Sequence, residues 1–166
     1  MLLALLQEAG IETVVDVRSF PRSRRNPQFD AETLAETLAQ AGIGYRHLKA
    51  LGGRRGRPKD GGESPNGLWR EEGFRNYADY ALTEEFRSGL SELRTLAAER
   101  TCAVMCTEAV WWRCHRRIIT DYLIAGGVPV RHILGPGQTE SASMTAGAEV
   151  RDDGSVIYPP TQPSLL

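Results

Sequence analysis

Two hydrophobic patterns alternate along this 166-residue chain. Short β-branched or mostly apolar segments are typical of buried strands, and they occupy 11–17, 101–106 and 128–134. Residues 45–48 are a further candidate strand. Segments whose apolar residues recur every three or four positions favour amphipathic helices, and they occupy 2–9, 31–41, 71–81, 83–100 and 114–125. Strands that alternate with helices predict an α/β fold with a mainly parallel or mixed central sheet flanked by helices.

The C-terminal segment has a different pattern. Two short runs in 150–158 flank Asp153-Gly154, a dipeptide that favours a tight turn, so a β-hairpin is predicted there. A chain of 166 residues suits one hydrophobic core rather than two. We therefore expect a single domain over residues 1–158, followed by a tail at 159–166.

Composition narrows the class of protein. Hydrophobic residues make up 41% of the chain and charged residues 25%, which is ordinary for a globular protein. No apolar run approaches the roughly 18 residues of a membrane span, and the start lacks the basic region of a signal peptide. Three cysteines are too few for a disulfide scaffold. We expect a cytoplasmic protein without a membrane partner.

The charge is unevenly distributed although the net charge is only −1. Residues 16–59 contain 10 of the 20 basic residues but 4 of the 21 acidic ones. In that segment Arg18 and Arg22 flank Phe20, and guanidinium groups beside an aromatic ring suit phosphate contact and base stacking. A phosphate-bearing small molecule or a nucleic acid is therefore a candidate partner, although a solvated loop would have the same composition.

Candidate acid–base groups follow two predicted strands. Sites in parallel sheets form at the carboxyl ends of the strands. Asp16 and Arg18 lie at the end of the first strand and, with period-two alternation, on one face. Cys106 and Glu108 lie at the end of the third strand. Asp16 and Glu108 are thus predicted to exchange protons with a substrate, and Arg18 to bind its anionic group.

Cys114-His115-Arg116 stands where the last helix is predicted to begin. Helix N-termini and arginines favour a thiolate, and they also bind anions. Cys106 and Cys114 are therefore candidate nucleophiles, with His115 and Arg116 as anion ligands. The alternative is that the cysteines only fill the core.

Metal binding is a further possibility for the same residues. Cys106, Cys114 and His115 are of metal-ligand type, but their spacing matches no common zinc or iron–sulfur pattern. Adjacent cysteine and histidine also suit a single ion poorly, so no metal or cofactor is predicted.

The segment 52–67 is rich in glycine and predicts a long loop. Such loops often cover ligands. His47 precedes this loop, and Gly52 and Gly53 begin it, so these three residues are predicted to lie at the substrate site.

Several motifs in this order resemble the DUF488 family, a group of bacterial and archaeal proteins without an assigned function. The motifs span about residues 2–158 and include Asp16-Val-Arg-Ser-Phe-Pro21, Leu51-Gly-Gly53, Met105-Cys-Thr-Glu108, Cys114-His-Arg116 and His132-Ile133. The resemblance implies a compact cytoplasmic α/β domain whose signature residues share one site. Family members usually begin with an additional strand before the first helix, so we expect that strand to be missing here.

The leading hypothesis is an enzyme that acts on a phosphate-bearing substrate such as a nucleotide or nucleic acid. A non-catalytic nucleic-acid-binding module and a thiol-redox or metal-binding protein are the alternatives. The sequence leaves the reaction type and the oligomeric state open.

Overall fold

A computed structural model describes residues 2–59 and 62–161 of the chain. Three parallel strands form its central sheet in the order β2-β1-β3. They are β1 (Thr13–Asp16), β2 (Gly44–His47) and β3 (Cys102–Met105). The register places Asp16 beside His47 on one side and beside Met105 on the other. All three strands therefore end at the same edge, as the predicted site requires.

Helices cover both faces of this sheet. In the described ranges they are α1 (Leu2–Glu8), α2 (Ala31–Gln40), α3 (Glu72–Tyr80), α4 (Glu84–Glu99) and α5 (Arg116–Ala125). The longest, α4, begins after Thr83, whose side chain accepts a hydrogen bond from the backbone N–H of Phe86 at 3.4 Å. Gly126 ends α5.

The side chains of β1 divide the core into two layers because successive strand residues point to opposite faces. Val14 packs with Leu38 of α2 on one face. On the other face, Val15 packs with Phe86 of α4 and Ile118 of α5. Each of these side chains is almost fully buried. The predicted α/β class, with a parallel sheet between helices, is confirmed.

Two antiparallel hairpins follow the last helix. The predicted C-terminal hairpin is confirmed, since β6 (Glu149–Val150) pairs with β7 (Val156–Ile157). The strand predicted at 128–134 instead forms β4 (Arg131–Gly135) and pairs with β5 (Gln138–Ser141), outside the central sheet. Gly137, at φ +66°, provides the left-handed backbone that reverses the chain between these two strands.

The predicted tail and loop are only partly described. Residues 159–161 contain no helix or strand, and the rest of the predicted tail, 162–166, lies outside the described residues, as do residues 60 and 61 of the long loop. No helix within the described ranges is long and apolar enough to cross a membrane.

Candidate functional site

Asp16 and Arg18 form a buried ion pair at the end of β1. Arg18 donates from Nε to both carboxylate oxygens, at 2.8 and 3.0 Å, and from Nη2 to Oδ2 at 2.6 Å. The two side chains are 0% and 5% exposed. Tyr45 on β2 donates its hydroxyl to Oδ2 at 2.5 Å. Burial, followed by the Asp16 carboxylate, raises the pKa of Tyr45 well above its usual value, so this hydroxyl remains a donor.

This arrangement gives Asp16 a positioning role toward Arg18. Its carboxylate also accepts a hydrogen bond from the backbone N–H of Arg18 at 3.1 Å, so both oxygens are occupied. The acid–base role predicted for Asp16 stays a prediction, and the geometry gives its carboxylate no direct contact with the cavity described below.

Consecutive carbonyls after β1 orient two histidines. The Arg18 carbonyl accepts from Nε2 of His47 at 2.6 Å, and the Val17 carbonyl accepts from Nε2 of His115 at 2.9 Å. Because a carbonyl only accepts, Nε2 of each ring carries a proton. In the neutral ring of His115, Nδ1 is then left with a lone pair. The segments at residues 16–18 and 114–116, about a hundred positions apart, thus meet at one edge of the sheet.

That lone pair of His115 faces two sulfurs. Nδ1 lies 3.4 Å from Sγ of Cys114 and 3.8 Å from Sγ of Cys106. All three atoms lie within 4.8 Å of one another. Cys106 directly follows β3, and Cys114 comes two residues before α5. We refer to Cys106, Cys114 and His115 as the thiol–imidazole cluster.

Interactions within this cluster shift the pKa values of the two cysteines in opposite directions. The pKa of Cys114 is lowered to about 6, mainly by the neighbouring thiol of Cys106, while burial opposes the shift. Arg116 contributes, since its backbone N–H and its Nε donate to Sγ of Cys114 at 3.5 and 3.4 Å. The pKa of Cys106 rises to about 12, first through the neighbouring Cys114 and then through burial. Cys114 is therefore the more acidic thiol of the pair.

Arg116 also connects this cluster to the loop after β3. Its Nη2 donates to the backbone carbonyl of Glu108 at 2.5 Å. The Glu108 side chain itself is exposed. The guanidinium of Arg116 is thus already bound to protein atoms, and its predicted contact with a substrate anion stays a prediction.

Gly52 and Gly53 pack so closely against residues at the site that a side chain would not fit at either position. A Cβ on Gly53 would collide with Nδ1 of His115 and lie 2.7 Å from its Cε1. A Cβ on Gly52 would lie 2.6 Å from Oγ and 2.9 Å from Cα of Ser19. Neither glycine has a positive φ, so space rather than backbone conformation requires them. Their predicted role in anion binding stays a prediction.

A cavity of about 520 Å³ opens over the thiol–imidazole cluster. Seven of the predicted site residues line it, namely Arg18, Arg22, Gly53, Cys106, Glu108, Cys114 and His115. His47, Gly52 and Arg116 are not among the lining residues, although His47 donates to the Arg18 carbonyl and Arg116 to Sγ of Cys114. Another cavity, of about 510 Å³, lies beside α3, but its described lining residues include neither cysteine nor histidine.

Three exposed guanidinium groups lie around the cavity. Arg22, Arg54 and Arg113 line it, and none forms an ion pair with a described residue. We call these residues the arginine rim. Glu71 and Glu108 are the acidic residues of the described lining. Since Arg18 is neutralised by Asp16, the rim supplies the charge that would attract an anion.

Several of these residues were not predicted from the sequence. Arg54 and Arg113 adjoin predicted residues, but neither belongs to a recognisable motif. Phe20, by contrast, was predicted to suit base stacking because arginines flank it; it is 65% exposed and lines the cavity, with Cζ of Arg54 5.6 Å from its ring centroid. Tyr45 lies two positions before His47 on one strand, and that spacing was the available signal that both side chains share a face.

Comparisons with known proteins agree with the motifs. No curated protein and no solved structure matches the chain. A family model described as "Domain of unknown function DUF488" matches residues 1–123, which include the strands of the central sheet and the thiol–imidazole cluster. His132, which contributes to the resemblance, lies beyond the matched residues. The match covers well over half of the 166 residues, and the chain therefore belongs to the DUF488 family.

Proposed function

We propose that this protein is an enzyme that acts on a small phosphate-bearing substrate, such as a nucleotide. The observation that carries the proposal is that the arginine rim and the thiol–imidazole cluster share one cavity. The rim would hold the phosphate, and the reacting part of the substrate would lie over the cluster. Guanidinium groups suit this task because they form paired, charge-assisted hydrogen bonds with phosphate oxygens.

The size and lining of the cavity support a small ligand. Its volume of about 520 Å³ is in the usual range for small-molecule sites. The exposed ring of Phe20 at the cavity could stack on a base. Glu71 and Glu108 are the exposed carboxylates of the described lining. Glu108 lies two residues after Cys106 of the cluster, and we assign to it the proton exchange with the substrate. Asp16 would act indirectly, by fixing Arg18.

We expect Arg22→Gln to weaken binding of nucleoside monophosphates and inorganic phosphate about 10- to 100-fold, the loss of one charge-assisted hydrogen bond. Isothermal titration calorimetry at low salt measures this change. Arg24→Gln is the matched control, because Arg24 is exposed on the same loop but is not among the described residues that line the cavity. Equal losses in both variants, or no phosphate binding by the natural chain, would contradict the proposed phosphate site.

A second experiment distinguishes the enzyme hypothesis from the hypothesis of a non-catalytic nucleic-acid-binding module. We expect the natural chain to convert a member of a panel of nucleotides and sugar phosphates, followed by mass spectrometry, and Glu108→Gln to slow that conversion about 100-fold or more. Cys102→Ser is the control, since Cys102 lies at the opposite end of β3. A nucleic-acid-binding module would convert nothing and would bind single-stranded DNA with an affinity that falls steeply with salt.

A further inference from the structure

The thiol–imidazole cluster has the dimensions of a tetrahedral metal site. Zn–S bonds of about 2.3 Å and a Zn–N bond of about 2.0 Å place two sulfurs about 3.8 Å apart, and a sulfur and a nitrogen about 3.5 Å apart. Nδ1 of His115 lies 3.4 Å from Sγ of Cys114 and 3.8 Å from Sγ of Cys106. The greatest separation among the three atoms is within 4.8 Å. One ion would reach all three after small side-chain movements.

The hydrogen bond of His115 supports the same conclusion independently. Metal-binding histidines almost always donate their second ring N–H to a carbonyl or carboxylate, which fixes the tautomer and the ring orientation. Here Nε2 donates to the Val17 carbonyl at 2.9 Å, so the lone pair of Nδ1 is directed toward the two sulfurs. The absence of a side chain at Gly53 leaves room for the ring in this position.

The donor set also suits a zinc-like cation. Binding would release the Cys106 thiol proton to solvent, and the two thiolates would then neutralise a divalent ion, while Arg116 donates to Sγ of Cys114 at 3.4 Å and stabilises that thiolate. Cys114 is 3% exposed, and a buried thiolate needs such partners. Two sulfurs and one imidazole select zinc-like ions over magnesium or calcium, which prefer oxygen.

We propose that Cys106, Cys114 and His115 bind one zinc-like divalent ion and leave its fourth position open toward the cavity. Three protein ligands with an open position are the pattern of catalytic rather than structural zinc sites. The open position would accept a water molecule or a phosphate oxygen. That last assignment rests on the proposed function, whereas the metal site itself does not.

Cobalt titration of the full chain, stripped with a chelator, tests the proposal without any substrate. We expect one Co²⁺ per chain, with a sulfur-to-cobalt charge-transfer band and the visible bands of tetrahedral cobalt, both displaced by Zn²⁺. Cys106→Ser and His115→Ala each remove a direct ligand, so each should lower the affinity by more than the about 10- to 100-fold that loss of an outer-shell partner costs. Cys102→Ser should leave it unchanged, because Cys102 lies at the far end of β3.

Absence of the charge-transfer band in the natural chain would overturn the proposal, whether or not the variants fold. An equal loss of affinity in Cys102→Ser would overturn it as well. The phosphate site is tested separately, by titrating metal-free protein with inorganic phosphate. Cobalt binding without phosphate binding would therefore reject the proposed function and retain the metal site. Phosphate binding without cobalt binding would reject the metal site and retain the proposed function.

Discussion

Asp16→Asn will lower the free energy of unfolding by about 3–5 kcal/mol, the usual cost of removing one partner from a buried ion pair. Arg18 is 5% exposed and would remain charged without a counter-ion. The amide has one acceptor oxygen in place of two, so it cannot reproduce the paired hydrogen bonds to Nε and Nη2. Urea denaturation followed by circular dichroism measures the loss.

Two control variants define the size of this effect. Tyr45→Phe removes one hydrogen bond to the carboxylate and should cost about 1–3 kcal/mol. Glu92→Gln breaks the exposed pair with Arg46, at 3.9 Å, and should cost at most about 1 kcal/mol. If Asp16→Asn costs no more than Glu92→Gln, the buried pair does not stabilise the end of β1.

Gly53→Ala will weaken cobalt binding about 10- to 100-fold, the usual result of disturbing the residues that orient a metal ligand. The added methyl group would collide with Nδ1 of His115, the atom proposed to bind the ion. Overpacking should also cost about 1–3 kcal/mol of stability. The cobalt titration described above and urea denaturation together measure both effects.

Gly56→Ala is the matched control on the same loop, since a Cβ there meets no described atom within 4 Å. It should change neither the cobalt affinity nor the stability appreciably. Unchanged cobalt affinity in Gly53→Ala would show that the loop moves aside instead of the ring, and that Gly53 is not required for the position of His115.

The convergence of the predicted site residues at one edge of the sheet could be predicted from the sequence because few physical rules determine it. Apolar strands alternate with amphipathic helices, which favours parallel strands, and parallel strands end at one edge. The predicted proximity of Asp16-Val-Arg18 and Cys114-His-Arg116 follows from that rule alone, and the hydrogen bond from His115 to the Val17 carbonyl agrees with it. The position of β4 was not predictable in the same way, because its pairing depends on the turn at Gly137.

The arrangement of the two sulfurs and the imidazole could not be predicted from the spacing of these residues along the sequence. Neighbouring residues usually point in different directions, which argues against Cys114 and His115 serving one ion. Here the backbone is extended at Cys114, with φ −131° and ψ 153°, and helical at His115, with φ −58° and ψ −15°. This abrupt change brings both side chains to one side. Cys106 reaches them through the register of β3, which sequence spacing does not reveal.

Two imidazoles donate hydrogen bonds to adjacent backbone carbonyls just after β1. His47 of β2 donates to Arg18, and His115, next to α5, donates to Val17. A rotation of the backbone at Val17 and Arg18 would release both rings in a single movement. The two peptide units that directly follow β1 therefore fix the orientation of both rings, so a substitution that shifts this backbone should disturb both histidines together.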